Sequence, residues 1–532
     1  MIFVRRLLSV ILVLALVSSC HRKNDHGKKD YGDWVYFGVY DKLTGIDPIG
    51  KAASISSMLS DIIFNGLIYM GENGEIVPDL AKGWEWSSDK KNLYFYLREG
   101  VKFHDGVLLS ASDVDYTLKT ILNQPATGAS RYIYDAIESI KVVDNLTIST
   151  TLKENFIFFP FDRDIFIMPL NSLGDFDRKK RFSWNPVGTG PFRVKKLSES
   201  EAILEANREY FKGRPFLNGI LVKSYQTQEE VWSRLLMEEI DFCLPLSPVQ
   251  INYMKNNTNF KIYSFLEPYL FILVFNQEKP LFQSKKIRIA LNYAINREEI
   301  LEKILDNNGR LCSGTIYPDS WAYDPEIKPY PYDPQYALKL LREERWLERN
   351  KNGILIKEGK PLEFNVLTIK GNDLYDNLIL LVEKDLAEIG IKINVKAVNM
   401  AETDKYFFQK KFDAALLNIY SGVHPGFWNY RFWHSSQIQK GMNVFSYRNA
   451  AVDKDLELGL QAEDQEEGKK YYQKFQREIF DDPPGVFLFW RMDMVPIHKR
   501  FRGVNIGPAK FFSSIPEWWV PKNEQKYKNG PN

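Results

Sequence analysis

The sequence predicts an α/β protein folded as more than one lobe, and two observations carry that prediction. The chain has 532 residues, and beyond ~250–300 residues a single hydrophobic core stops growing and chains divide. Residues 362–420 alternate strand-like and helix-like stretches, a βαβαβ pattern that implies a parallel sheet. Composition is ordinary for a globular protein, at 44% hydrophobic and 26% charged, with aromatics at 14%. No long internal repeat is visible.

Taken in order, the chain opens with Arg5 and Arg6, followed by the apolar run Leu7–Val17. That run is shorter than the ~20 residues of a membrane-spanning helix and reads as a secretory signal. Ser18 and Ser19 then precede Cys20. Residues 20–33 are polar and charged, a composition that buries too little apolar surface to fold alone, so a flexible tether is predicted. Loss of residues 1–19 removes two of the 70 basic side chains and leaves 68 against 68 acidic ones. This balance argues against a nucleic-acid-binding protein, which carries a basic excess.

Besides Cys20 there are only Cys243 and Cys312, which can pair or remain buried thiols. The six histidines show no metal-ligand spacing. No HExxH, CxxC, phosphate-binding glycine loop or GxSxG is present. No catalytic residue, metal or cofactor is predicted.

Leu93–Leu97 is a bulky aromatic strand. Lys102–Gly106 reads as a turn, with His104 a turn histidine. Ser110 is a helix N-cap, with Val114, Leu118, Ile121 and Leu122 on one face. Asn185–Phe192 (NPVGTGPF) packs two prolines and two glycines into a fixed corner. Ile287, Ala290, Leu291, Ala294 and Ile295 form a helical face, and Asn296 caps the next helix with Glu299 three residues on. Tyr332-Asp333-Pro334 opens another helix. Phe412–Tyr420 is apolar, as an interior parallel strand is, and the Lys- and Asn-rich tail from Pro521 is predicted to be disordered.

Ligands of open α/β sheets bind beyond the carboxyl ends of strands. The strand ending at Tyr420 runs into Ser421–Trp428, so Tyr420, Ser421, His424, Trp428, Arg431 and Trp433 are site candidates. Aromatic walls with a few polar groups suit a small-molecule cleft. At least half of Phe427, Trp428 and Trp433 are expected to be packing residues. Tyr269 and Phe271 are the candidates from the facing lobe.

The stretch Asn92–Val114 (NLYFYLREGVKFHDGVLLSASDV) resembles the signature of bacterial extracellular solute-binding proteins of family 5, the peptide/nickel-type binding lipoproteins of ABC importers. Glu75–Trp86, Asn185–Phe192, Gly213–Leu217, Phe275–Ile300 and Tyr332–Leu341 resemble further blocks of that family, in its order. Val17–Cys20 resembles a lipobox, which implies lipidation of Cys20.

The resemblance implies a two-lobed fold of the type II periplasmic-binding-protein kind (the large cluster C class) with an extra subdomain in the first lobe. Its layout is a signal peptide at 1–19, a tether at 20–33, lobe I at 34–57 with 181–274 and 482–520, the inserted subdomain at 58–180, lobe II at 275–481 and a tail at 521–532. Crossings near Phe275 and Asp481 would form the hinge. The implied function is capture of a peptide or peptide-like solute in an inter-lobe cleft and delivery to permease subunits, by a monomer lipid-anchored at the periplasmic or extracytoplasmic face of the cell envelope. Peptide-binding members carry an amine-binding aspartate in a W-x-x-D-Y-x-x-P stretch. This chain has Ile419–Pro425 there, with Ser421 or Gly422 near the acid's place, and a neutral serine cannot replace a carboxylate against an ammonium group. The alternatives are a non-peptide ligand (metal chelate, sugar, haem or opine), with His424 facing an anionic or chelated group, or an extracytoplasmic hydrolase, which would need a nucleophile–base pair.

Overall fold

A computed structural model describes residues 29–49, 58–71, 75–123, 137–153, 165–170, 172, 176–244, 246–462, 464–508 and 511–531. Cys20 and the signal segment lie outside these residues. Among the described residues no helix is long and apolar enough to cross a membrane.

Lobe I is built on a five-stranded sheet in the order Phe242–Cys243, Trp34–Val39, Gly219–Ser224, Glu201–Ala206, Phe192–Leu197. Trp34–Val39 (WVYFGV) is buried on both faces, as its nearly unbroken apolar run requires. Phe37 stacks on Phe242 at 4.5 Å on one face. The helix Gln228–Leu236, capped by Thr227, packs Val231 and Leu235 in a separate cluster with Ile240 and Cys243.

The inserted subdomain is a four-stranded sheet, Ala81–Trp86, Asn92–Leu97, Thr147–Leu152 and Ile137–Asp144, covered by the helix Ala111–Leu122. Ser110 caps that helix in a capping box with Asp113, and Val114 and Leu118 are fully buried beneath it. The Asn185–Phe192 corner is clamped by His104, whose Nδ1 accepts from the Gly188 N–H at 3.3 Å while Nε2 bonds the Gly190 carbonyl at 3.0 Å. A Cβ at Gly188 would lie 2.0 Å from the Ile63 carbonyl oxygen, so only glycine lets the corner approach that backbone.

Lobe II holds a six-stranded mixed sheet in the order Gly309–Leu311, Gly485–His498, Phe260–Phe275, Ala414–Tyr420, Glu363–Ile369, Lys392–Val398. The predicted βαβαβ unit is present, with helices Asp373–Glu388 and Met400–Phe408 between its strands. Ala414–Tyr420 pairs parallel with Glu363–Ile369 but antiparallel with Phe260–Phe275, so the predicted parallel strand marks the sheet's change of direction. The helix Lys285–Ala294 buries Ile287, Ala290, Leu291 and Ala294, and Asn296 accepts from the Glu299 N–H at 3.1 Å.

The crossings differ from expectation. Phe260–Phe275 and Gly485–His498 form one antiparallel ladder from Phe260↔His498 to Val274↔Gly485. Tyr263, Phe265, Val495 and Ile497 pack in lobe I, whereas Leu270, Ile272, Val274, Phe487 and Trp490 pack in lobe II. The change of core therefore falls at Phe265–Leu270 and Trp490–Val495, where the register shifts between Leu266 and Leu270. Phe275 is fully buried in lobe II. The resemblance implied crossings near Phe275 and Asp481, but Phe275 lies inside a strand pair that continues into lobe I.

The tail is also corrected. The Tyr527 ring stacks on Tyr36 at 3.8 Å, and the Lys526 and Tyr527 N–H groups donate to the Asp33 carboxylate at 3.0 and 2.6 Å. Asp33, assigned to the tether, is fully buried and bonded to Arg500. Composition marked both ends as disordered because one buried acid and one ring leave no compositional trace. Cys243 and Cys312 are both free and buried, and burial pushes each thiol up to about 12.

Candidate functional site: the inter-lobe cleft

A cavity of about 800 Å³ opens between the lobes, with the second crossing strand as its floor. This lies within the ~300–1,000 Å³ of small-molecule sites. Lobe I contributes Gln228 and the segment around Leu244–Ile251. Lobe II contributes the C-terminal end of the helix Arg297–Leu305 and the N-terminal end of Asp373–Glu388. Asn372 caps the latter helix by accepting from the Leu374 N–H at 3.0 Å.

Arg491, Met492, Asp493 and Met494 form the floor. Arg491 grips Glu267 of the other crossing strand with two bonds, Nε to Oε2 at 2.9 Å and Nη2 to Oε1 at 2.5 Å. The Asp493 carboxylate is 3.6 Å from Arg491 Nη2, beyond a good hydrogen bond. Burial first, then the Glu267 carboxylate, pushes the Asp493 carboxyl up to about 7 against the lowering effect of Arg491. Tyr375 donates from its hydroxyl to Asn418 Oδ1 at 3.0 Å, and burial raises it to about 12.

A second feature is an aromatic ledge where the first crossing strand meets Ala414–Tyr420. Tyr269 is 39% exposed and contacts Tyr420 at 5.1 Å. Tyr420 meets Trp428 edge-on at 5.1 Å. The guanidinium of Arg431 lies over Phe427 and Trp428 at 5.5 and 5.7 Å. Phe427 packs on the core of the inserted subdomain, and Met70 of that subdomain packs on the core of lobe II. The loop after Tyr420 thus touches the opposite side of the molecule.

The pattern called "Bacterial extracellular solute-binding proteins, family 5 Middle" matches residues 75–441. The chain belongs to this family. It is 27% identical to the oligopeptide-binding protein AppA of Bacillus subtilis, over 97% of this chain and 98% of that one. The structure of that protein in complex with a nonapeptide superposes with a TM-score of 0.76, at 26% identity over 93% of this chain and all of the other. NikZ from Campylobacter jejuni in complex with Ni(L-His) superposes with the same TM-score and identity, over 92% and 99%. The glutathione-binding protein GsiB of Pectobacterium atrosepticum is 26% identical over 88% and 91%.

Within this solute-binding fold the eight sequence candidates separate. Tyr269, Tyr420 and Trp428 come together in the ledge, with Arg431 beneath. Phe271 is instead 2% exposed and stacked on Phe489 at 4.7 Å in the core of lobe II. Trp433 is 1% exposed and stacks with Phe445. Both strand alternation and helical phase turn these rings inward. Ser421 is buried, its N–H donating to the Pro268 carbonyl at 2.9 Å and its hydroxyl to the Thr315 carbonyl. His424 accepts at Nδ1 from the Gly426 N–H at 3.1 Å and meets Trp321 edge-on. Burial lowers it to about 4, so it is neutral at physiological pH and is no counter-charge for an anionic ligand.

Sequence reasoning missed Glu267, Arg491 and Asp493. The signal was present: Arg491 and Asp493 alternate within the apolar run FLFWRMDMV, so one face of a buried strand turns charged where it enters the cleft.

Proposed function

We propose that this protein captures a peptide in the inter-lobe cleft and hands it to the permease subunits of an ABC importer. In this reading it is a monomer held at the extracytoplasmic face by lipid on Cys20, and it makes or breaks no bond in its ligand. The observation that carries the reading is the cleft itself, which lies between two lobes joined by a single strand pair. A ligand touching both walls binds the closed arrangement better than the open one and shifts the population toward it. The match to AppA over nearly the whole of both chains supports a peptide as that ligand. The lobes would then be 34–57 with 181–265 and 495–520, and 270–490, with the subdomain at 58–180 carried by lobe I.

Native mass spectrometry tests this on a soluble chain starting at His21, exported and purified without added ligand. A heterogeneous set of bound masses that fragment as peptides is the expected result. A single discrete non-peptide mass would overturn the peptide reading and favour a chelate or other small solute, as NikZ binds Ni(L-His). Cys20→Ala in the full-length chain is expected to move the protein from the membrane to the soluble fraction.

A further inference from the structure

We infer that Asp493, held against Glu267 and Arg491 on the cleft floor, is the anchor for a positively charged group of the ligand, in place of the aspartate absent beside Ser421. The inference rests on the peptide reading above and names the chemistry its site selects.

The argument is one of charge balance in a confined space. Two carboxylates, Glu267 and Asp493, face one guanidinium, Arg491. Glu267 takes that guanidinium in a two-bond grip, leaving Asp493 at 3.6 Å and only 31% exposed at its side chain. The Glu267 carboxylate also disfavours the charged form of Asp493. Arg491 is thus shared by two acids, and Asp493, its weaker partner, is the one that a second cation would satisfy. Burial and the Glu267 carboxylate raise the proton affinity of Asp493.

Among the described residues the cavity has one other cation, Lys303. Lys303 is engaged by Glu299 at 2.5 Å. Asp373 adds a further negative charge, but it lies in the first turn of its helix, where the helix dipole already favours it. A ligand ammonium beside Asp493 would make two ion pairs from four groups. Because Glu267 and Asp493 stand on the two crossing strands where the lobes part, that cation would bind at the hinge itself.

Binding of a cation requires Asp493 to be ionised, so ligand uptake would release a proton. Affinity would rise with pH as Asp493 ionises, above the ordinary carboxylate range, and level off once it is charged.

The test uses the mature chain and three randomised pentapeptide libraries: free amino termini without lysine, N-acetylated with lysine, and N-acetylated without lysine. Retention is read by native mass spectrometry. The wild type is expected to retain one or both cationic libraries at least about tenfold better than the neutral one, and the first two arms tell an α-amine from a lysine side chain. Asp493→Asn is expected to abolish that preference while melting at the same temperature or higher, since it removes an acid crowded against the Glu267 carboxylate and leaves the Arg491–Glu267 pair in place. Calorimetry in two buffers of different ionisation enthalpy should show a proton released on binding below about pH 7 by the wild type and not by the variant.

Equal retention of the neutral library by the wild type overturns the anchor and leaves the peptide reading standing. An Asp493→Asn chain that keeps its preference for cationic peptides does the same. A variant that loses ligand only because it melts well below the wild type makes Asp493 a structural residue. Retention of no library overturns the peptide reading and the anchor with it.

Discussion

Arg500 in lobe I and Arg297 in lobe II are both almost fully buried, and opposite chemistry holds them. Arg500 bonds the Asp241 carboxylate through Nε at 2.9 Å and Nη2 at 2.6 Å, the Trp34 carbonyl at 2.8 Å, and Asp33. Burial alone would lower its proton affinity, but Asp241 and Asp33 outweigh it and the net shift is upward. Among the described residues Arg297 bonds no carboxylate. It donates to the carbonyls of Phe487 at 2.6 Å, Tyr330 at 2.7 Å and Asn292 at 2.7 Å, and burial pushes it down to about 10.

The difference follows from chain topology. Lobe I is assembled from the start, the middle and the end of the chain, and Arg500 joins all three through Asp33, Asp241 and the tail bound to Asp33. Lobe II is mostly one continuous segment, and there Arg297 fills carbonyls left open between packed elements, while Arg288 pairs with Asp482.

That comparison is sharpest under mutation. Arg500→Met leaves two carboxylates buried without a counter-charge, and should cost about 3–5 kcal/mol. Urea unfolding is expected to change from one transition to two, lobe I first. Adding Asp33→Asn and Asp241→Asn should recover much of the loss, because neutral partners need no cation. One unchanged transition in Arg500→Met would break the comparison.

Acid tests both halves together. His104 clamps the glycine corner and His424 lies inside lobe II, and burial lowers each to about 4. The unfolded chain therefore binds more protons than the folded one between about pH 6.5 and about pH 4. Each histidine's contribution, about 3 kcal/mol, is complete above that window and lost as pH falls through it. Chemical denaturation across that range should show the loss, and His104→Gln and His424→Gln should each flatten part of the slope.

Arg297→Met is expected to be milder than Arg500→Met, at about 2 kcal/mol, since it orphans carbonyls and leaves no charge behind. The smallest effect should come from ending the chain at Pro521. That removes the Tyr527–Tyr36 stack and two donors to Asp33, for about 1–2 kcal/mol by thermal denaturation. If lobe II weakened more than lobe I on this truncation, the role given to the tail would be wrong.

Much of the fold was legible. Ser110, Asn296 and Asp333 mark helix starts because a cap is a local event between near neighbours. The βαβαβ unit was readable because periodicity reports burial within one element. The order of strands around Phe260–Phe275 was not, since antiparallel partners 200 residues apart leave no local mark. The site was less legible than the fold. Loop position identified Tyr269, Tyr420 and Trp428, but the same criterion also picked Phe271 and Trp433, which packing turns inward. The carboxylates and guanidinium on the cleft floor come from two strands that meet only in three dimensions. Alternation could reveal Arg491 and Asp493, but not Glu267 opposite them.

The continuous ladder between Phe260–Phe275 and Gly485–His498 has a mechanical consequence. Two loose linkers would let the lobes swing with little resistance and no preferred angle. A hydrogen-bonded ribbon has a natural right-handed twist, and an irregularity in it concentrates further twist at one place. Rotating one lobe against the other must wind or unwind that ribbon about the register shift at Leu266–Leu270. If the lobes close on a ligand as proposed, the ribbon would act as a torsion spring that resists closure and favours reopening.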